Sequence, residues 1–227
     1  MLREPPPDAP RAALDRAVAE AVRARLAAGP RPTPDAEAIA VRETLAGLSP
    51  TEAAAVRSVL GRVDAAAGPP LVVWGPASQV LAADRHGLVA RLAAKPEAAL
   101  QAVRDGGRAL MDLTPTSAWW GRLLAEPGLR VVGALPDHGG GQPRALMVQR
   151  AAPGPTGDDR TFWATDGALP DARIVEALGH AGLAAAPLIA AGGLKLFVLA
   201  GYVQAEDGRL ASAPGDLTGV IGAAPVF

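Results

Sequence analysis

The stretch Leu71-Val-Val-Trp-Gly-Pro76 marks a change of pattern in this chain, from helical periodicity to a short apolar run. Four consecutive apolar residues closed by Gly75-Pro76 are typical of a buried strand followed by a turn. A helix-like sequence resumes at Ser78, so the stretch predicts a strand, a turn and a helix. Units of this kind build α/β proteins, in which helices cover the faces of a largely parallel sheet.

The alternation of strands and helices continues downstream. The predicted strands are 88–92, 108–113, 129–135 and 145–149, and the predicted helices are 96–105 and 117–125. We therefore expect residues 69–152 to form one three-layer α/β lobe around a predominantly parallel sheet. Trp119 and Trp120 fall in the second of these helices. Because neighbours on a helix point about 100° apart, we expect one of the two rings to be exposed.

Residues 1–68, before this lobe, are expected to form an N-terminal helical region. Apolar residues recur at helical spacing between Arg11 and Ala67, and Pro30-Arg-Pro-Thr-Pro34 separates the first two of three short helices. Ser49-Pro-Thr-Glu52 has the form of a capping box and predicts the start of the third.

Residues 158–227 follow a Pro/Gly-rich linker and are expected to form a third unit. The pattern predicts a strand at 161–165, a helix at 170–181, two strands about Gly192-Gly193 and a last strand near Val220. The segment 207–213 is predicted to be a short, poorly formed second helix. This βαββ(α)β order is that of a ferredoxin-like α+β sandwich.

Composition excludes several functions. The 227 residues include 22 basic and 23 acidic side chains, so no strong field favours a nucleic acid or a membrane as partner. The absence of cysteine excludes disulfides and thiolate sites. His86, His138 and His180 are isolated in the sequence, so neither a metal nor a cofactor is expected. The first residues lack the apolar core of a signal peptide, and a cytoplasmic location is expected.

Several sequence runs resemble the bifunctional chorismate mutase/prephenate dehydratase family. Leu71–Pro76 is similar to the opening strand and turn of the dehydratases. Pro143-Arg-Ala-Leu-Met-Val148 and Pro155-Thr-Gly-Asp-Asp-Arg-Thr161 are similar to their Thr-Arg-Phe strand and to the linker into their ACT domain. Gly167-Ala-Leu169 stands where ACT domains have a phenylalanine-binding turn. The resemblance implies a mutase-like region at 1–68, a dehydratase-like lobe at 69–152, an ACT-like domain at 158–227 and a role in phenylalanine metabolism.

Departures from that pattern imply a degenerate member of the family. Pro143 replaces the catalytic threonine and supplies neither a hydroxyl nor an amide donor. The lobe is also about half the length that the resemblance implies. Pro187-Leu-Ile-Ala190 replaces the Glu-Ser-Arg-Pro run that completes the phenylalanine pocket. We therefore expect a ligand-binding or regulatory role, without dehydratase activity and without a response to phenylalanine.

Two other functions remain open at this stage. One is an active chorismate mutase with a rearranged arginine site, because mutases hold a dianion with cations from separate helices. The arginines on the three predicted helices are Arg11, Arg16, Arg23, Arg25, Arg42, Arg57 and Arg62. The competing interpretation is that they form solvated helix faces. The other function is a non-enzymatic interaction module. Helices this short are marginal without tertiary packing, so a homodimer is expected.

The predicted ligand site lies at the carboxyl ends of two strands, where helix N-termini attract anions in α/β sheets. The two turns concerned are Gly75–Ser78 and Thr114–Ser117, and Arg144 is the residue retained from the family's triplet. The predicted site residues are Ser78, Thr114, Thr116, Ser117 and Arg144, and the expected ligand is a small anionic metabolite. The alternative is that these residues only cap helices.

Overall fold

The computed structural model of the protein describes residues 8–29, 31–88 and 90–227. The helical region is present as predicted. Its helices are α1 (Ala9–Ala28), α2 (Pro34–Leu45) and α3 (Pro50–Ala67). The predicted capping box starts α3, where the Ser49 amide donates to Glu52 Oε2 over 2.9 Å. In the described part of the chain, no helix combines the length and the apolar character needed to cross a bilayer.

One nine-stranded sheet organises the rest of the molecule. Its strands are β1 (Leu71–Trp74), β2 (Arg91–Leu92), β3 (Arg108–Asp112), β4 (Arg130–Leu135), β5 (Ala145–Gln149), β6 (Asp159–Thr165), β7 (Ala185–Ala191), β8 (Leu194–Ala200) and β9 (Thr218–Pro225). The strand order is β2-β1-β3-β5-β4-β9-β6-β8-β7. The fold is thus mixed α/β, in agreement with the predicted class.

The prediction of a predominantly parallel sheet is wrong. Parallel pairing joins β1 to β2, β1 to β3 and β4 to β9, and the five other neighbouring pairs are antiparallel. The reason is local to residues 136–144, which join β4 to β5 without a helix. A connection of this kind returns the chain as a hairpin, whereas a parallel neighbour needs a crossover connection.

Helices α4 (Pro76–His86), α5 (Pro96–Arg104) and α6 (Asp171–His180) lie at the predicted positions. The predicted strand 88–92 is reduced to Arg91–Leu92, and residue 89 is outside the described ranges. The predicted helix 117–125 is a shorter 3-10 helix, Trp119–Leu124. A second 3-10 helix, Gly208–Leu210, occupies the segment predicted to be a poor helix.

Both tryptophans of the first 3-10 helix are buried, so the prediction that one ring is exposed is wrong. Trp119 and Trp120 are 2% and 0% exposed, and the Trp119 indole donates to the Asp112 carbonyl over 2.7 Å. Their apolar cluster contains residues from both halves of the sheet, such as Met111 and Phe162. Both rings enter the apolar cluster, while Arg122 on the same helix remains exposed. We call this cluster the dry core.

Strand β9 joins the two halves of the sheet by lying between β4 and β6. Gly222 makes this possible, because its φ is +138° and a Cβ atom there would collide with the Val131 backbone. Beyond the junction, β9-β6-β8-β7 are antiparallel and carry α6. Hydrogen bonding therefore runs through the predicted boundary at 152/158, and the division into three units stays a prediction.

Candidate functional site: a cationic cavity between the helices and the sheet

The predicted anion site at the start of α4 already contains a carboxylate. Asp112, at the end of β3, accepts the Ala77 amide at 2.9 Å and also the Ser78 amide. Ser78 is fully buried and Asp112 is 6% exposed. A carboxylate bound to these amides satisfies the positive end of the helix from inside the protein. An incoming anion at this turn would meet a negative charge already in place.

The other predicted site residues are held by their own neighbours or lie in solvent. The Thr114 and Thr116 hydroxyls are 2.9 Å apart, and the Ser117 amide donates to the Thr114 carbonyl over 3.3 Å. Arg144 is exposed, and its guanidinium forms no hydrogen bond or ion pair with any residue that the structure describes. None of these contacts calls for a ligand. The anion site at these five residues stays a prediction.

A cavity of about 600 Å³ lies between the helical region and the face of β4 and β5 that is turned away from the dry core. Apolar side chains, among them Val41, Val132, Leu135, Met147 and Phe227, form part of its wall. The charged residues that line it are Arg25, Arg31, Arg85, Arg108, Arg150, Glu37, Asp64 and Asp137. Among the described lining residues, guanidinium groups therefore outnumber carboxylates by five to three. We call this space the cationic cavity.

At one cluster in the cavity wall, two arginines share one carboxylate. Glu37 Oε1 lies 2.9 Å from Arg25 Nε, and Glu37 Oε2 lies 3.3 Å from Arg31 Nε. Arg25 also donates to the Gly29 carbonyl over 2.6 Å. The Arg31 Nε atom is buried within ion-pair distance of Glu37, but it makes no hydrogen bond in the described part of the chain. This cluster keeps one unneutralised positive charge.

A second cluster repeats the arrangement around Asp137. Its carboxylate lies 3.4 Å from Arg57 Nη1 on α3 and 3.2 Å from Arg85 Nε on α4. Arg85 also donates to the Arg57 carbonyl, which fixes the two helices together. The Arg57 Nε atom is buried and has no acceptor among the described residues. In this cluster, too, two guanidinium groups share one carboxylate.

Arg108 is the most buried of these arginines, at 4% exposure. It donates to the Asp64 side chain and, over 3.0 Å, to the Asp64 carbonyl, while its Nε atom has no acceptor in the described chain. Buried N–H groups without acceptors cost free energy. Such groups on Arg31 and Arg108, which both line the cavity, are places where the oxygens of a ligand are expected.

His86, at the end of α4, lines the same cavity. Its Nδ1 atom is 3.3 Å from the Gly61 carbonyl oxygen. Burial, reinforced by the neighbouring Arg85 guanidinium, lowers the pKa of His86 to about 4. The ring is therefore neutral at pH 7.

The arginines of the helical region divide into three groups. Arg25 lines the cavity and Arg57 pairs with Asp137 in its second cluster, and an arginine site built from these helices stays a prediction. Arg11, Arg16, Arg23 and Arg62 are exposed. Arg42 instead holds the linker and the last strand, donating to the Asp158 carbonyl over 3.0 Å and the Val226 carbonyl over 2.8 Å.

Sequence reasoning missed Arg85 and Arg108 as site residues. The available signal was Arg108 itself, a charged residue at the start of the apolar run Ala109-Leu-Met111. A cation at the start of a buried strand needs a partner or a cavity. Nothing in the local sequence of Arg85 distinguishes it from a solvated residue at the end of a helix.

No protein-family model and no curated protein matches the sequence. Among solved structures, a quorum-quenching acylase called GqqA is similar over 69% of this chain and 95% of its own, with 18% identity and a TM-score of 0.46. Prephenate dehydratase from Streptococcus mutans is similar over 70% of this chain and 99% of its own, with 13% identity and a TM-score of 0.38. Similarities this distant assign neither a family nor an activity.

Proposed function

We propose that this protein binds a small organic anion in the cationic cavity and that it is a catalytically degenerate relative of the chorismate mutase/prephenate dehydratase family. The observation that carries the proposal is the surplus of guanidinium groups in a cavity with partly apolar walls. Buried N–H groups of Arg31 and Arg108, both in the cavity wall, make no hydrogen bond among the described residues and support it. A carboxylate would supply both the charge and the acceptors.

The pairing pattern favours a ligand with two carboxylates. The clusters at Glu37 and Asp137 each join two guanidinium groups to one carboxylate, so each can take one more negative charge. The apolar residues of the wall suit the carbon skeleton between two such groups. Chorismate and prephenate are therefore the first ligands to test, and a role in aromatic amino-acid metabolism remains part of the proposal.

The test is titration calorimetry with chorismate and with prephenate. Arg31→Gln should weaken binding roughly 10- to 100-fold, which corresponds to the loss of a charged hydrogen bond. Glu37→Gln removes a competing carboxylate from the same cluster and should leave binding unchanged or make it tighter. Arg62→Gln, at an exposed position, is the matched control. Absence of saturable heat with either ligand, or binding that is indifferent to Arg31→Gln, would overturn the proposal.

Dehydratase activity is not part of the proposed function. Pro143 is buried beside β5 at the position of the family's catalytic threonine, and it has no hydroxyl to donate. The purified protein should form no phenylpyruvate from prephenate above the uncatalysed rate. Protein-dependent formation of phenylpyruvate would contradict this part of the proposal.

An active chorismate mutase is the second candidate. It is favoured by the arrival of arginines from separate helices, with Arg25 on α1, Arg57 on α3 and Arg85 on α4. Against it, each of these three is engaged by a carboxylate. Robust consumption of chorismate that is abolished by Arg25→Ala would make this candidate the better one.

We also propose that the protein forms a homodimer. Among the described residues of α1, only Ala21 is fully buried, and Leu26 is 64% exposed, so this helix has apolar surface to offer a second chain. A monomeric mass in solution at micromolar concentration would contradict the dimer. A purely structural interaction module would also dimerise, but it would bind no anion in the cavity.

A further inference from the structure

Hydrogen-bond donors dominate the charged wall of the cationic cavity. A guanidinium group has five N–H donors and no acceptor. The three carboxylates accept, but each is already bound to an arginine. Gln149 also lines the cavity, and its amide can turn either its donor or its acceptor towards a ligand. The hydroxyl of a ligand therefore has few groups to donate to that are unbound and can act only as acceptors.

The imidazole of His86 supplies an acceptor of this kind. The Gly61 carbonyl oxygen can only accept, so the contact with Nδ1 places the ring proton on Nδ1. The neutral ring then carries a lone pair on Nε2. Among the residues that the structure describes, His86 makes a side-chain hydrogen bond only through Nδ1, and His86 is one of the residues that line the cavity.

Burial is the main cause of the lowered pKa that keeps this ring neutral, and the neighbouring charges reinforce it. Arg85 and Arg108 oppose protonation, and Asp64 favours it less strongly. A protonated imidazole would present a second donor in place of the acceptor. Burial and the cationic neighbours together thus keep Nε2 of His86 as a hydrogen-bond acceptor in a wall rich in donors.

We propose that His86 is a specificity-determining residue of the cavity: its Nε2 atom accepts a hydrogen bond from a ligand hydroxyl, so the cavity prefers hydroxylated carboxylic acids to carboxylic acids that lack the hydroxyl. This inference rests on the proposed anion-binding function and adds the second chemical group that the ligand must carry.

The experiment compares succinate with L-malate and D-malate, which differ from succinate by one hydroxyl. Titration calorimetry at pH 7 should show that one malate enantiomer binds roughly 3- to 10-fold more tightly than succinate, the range expected for one neutral hydrogen bond. The two enantiomers should differ, because the acceptor is fixed relative to the arginines.

Two variants separate recognition from packing. His86→Asn keeps an N–H near the position of Nδ1, so it can retain the contact with Gly61, but it has no group at the position of Nε2. His86→Gln places a side-chain oxygen near the position of Nε2. We expect the preference for malate to disappear in His86→Asn and to be at least partly retained in His86→Gln, while succinate affinity stays within about 2-fold in both.

The outcomes are distinct. Equal affinity of wild type for succinate and both malates, or a preference that survives in His86→Asn, overturns the role of His86 and leaves anion binding in place. Absence of binding for succinate and both malates overturns this inference. If chorismate and prephenate also fail to bind, the anion-binding function is overturned as well.

Discussion

The two faces of the same strands have opposite chemistry. On one face, the dry core encloses Trp119 and Trp120 and contains almost no polar atoms. On the other, the helical region covers the sheet incompletely and leaves the cationic cavity. Strand β3 contributes to both, with Ala109 and Met111 on the dry side and Arg108 on the cavity side.

This difference indicates that one face of the sheet stabilises the fold and the opposite face is suited to recognise a ligand. Residues of alternating parity on β3 point to opposite faces. The dry core combines aromatic rings with aliphatic side chains, whereas the cavity wall combines apolar residues with long charged side chains. We therefore expect substitutions in the dry core to act on folding and substitutions in the cavity to act mainly on ligands and on pH dependence.

The largest expected effect is in the dry core. Trp120→Ala should lower the free energy of unfolding by about 3–5 kcal/mol, since it empties a fully buried site. Trp120→Phe keeps an aromatic ring and removes an N–H that has no acceptor among the described residues, so it should cost much less. Denaturant unfolding measures both.

Val80→Ala is the control for this prediction, because Val80 is 71% exposed, and its effect should be within about 0.5 kcal/mol. A cost for Trp120→Ala that is no larger than that of Val80→Ala would show that the dry core is not the stabilising face.

On the cavity face, the expected effect is a dependence of stability on pH. The pKa of His86 is lowered from 6.5 to about 4 in the folded protein. Between these values the unfolded chain binds a proton that the folded protein does not, so the free energy of unfolding should fall by about 3 kcal/mol as the pH drops from about 6.5 to about 4. Below that range this contribution is constant.

Chemical unfolding at several pH values measures the contribution as the difference between wild type and His86→Asn. His180 is exposed, and His180→Gln should retain the wild-type slope. Equal slopes for wild type and His86→Asn would mean that the pKa of His86 is the same in the folded and unfolded states, which contradicts the burial of the ring.

A smaller effect is expected at the edge between the two faces, where Asp112 caps α4. Asp112→Asn removes the charge that binds the Ala77 and Ser78 amides and should cost about 1–2 kcal/mol. Asp105→Asn is a comparison at an exposed aspartate that ends α5. If Asp112→Asn were neutral, the amides at the start of α4 would be open to an external anion, as the sequence predicted.

The smallest expected effect concerns phenylalanine, which should not bind to the terminal strands. Gly167 is present, but its amide donates to the Thr165 hydroxyl, and Ile189 lies on strand β7. Neither end of a zwitterion finds a charged partner in the Pro187–Ala190 run. Calorimetry should show no saturable heat with phenylalanine under conditions in which the cavity binds its anion. Micromolar binding that is lost on Gly167→Val would place a second ligand site in the terminal strands.

Much of the fold is readable in the sequence because its signals are local. The capping box at Ser49, the strand Leu71–Trp74 and the αββ pattern after residue 170 each depend on neighbours in the chain. The parallel sheet and the exposed tryptophan were predicted wrongly because they depend on how distant strands pair and curl. The helix-free connection at 136–144 is a local signal for the hairpin of β4 and β5, whereas the antiparallel pairing of β3 with β5 joins strands that are far apart in the chain.

The cavity was less predictable than the fold for the same reason. Arg25, Arg85 and Arg108 come from a helix of the first region, a helix of the second and a strand. Their pairing with Glu37, Asp137 and Asp64 joins residues far apart in sequence. The arginines of the helices were recognised as a possible site, but the sequence alone does not separate Arg25 from its exposed neighbour Arg23.

The position of β9 also has a consequence for the synthesis of the protein. The strand that joins the two halves of the sheet is the last of the nine to be translated, because it spans Thr218–Pro225. Until it emerges from the ribosome, β4 and β6 each have an unpaired edge, and such edges invite pairing with other chains. A nascent chain that lacks β9 therefore has two separate, incomplete sheets. They can join only after β9 has been synthesised, and Gly222 allows β9 to approach β4 closely enough to pair.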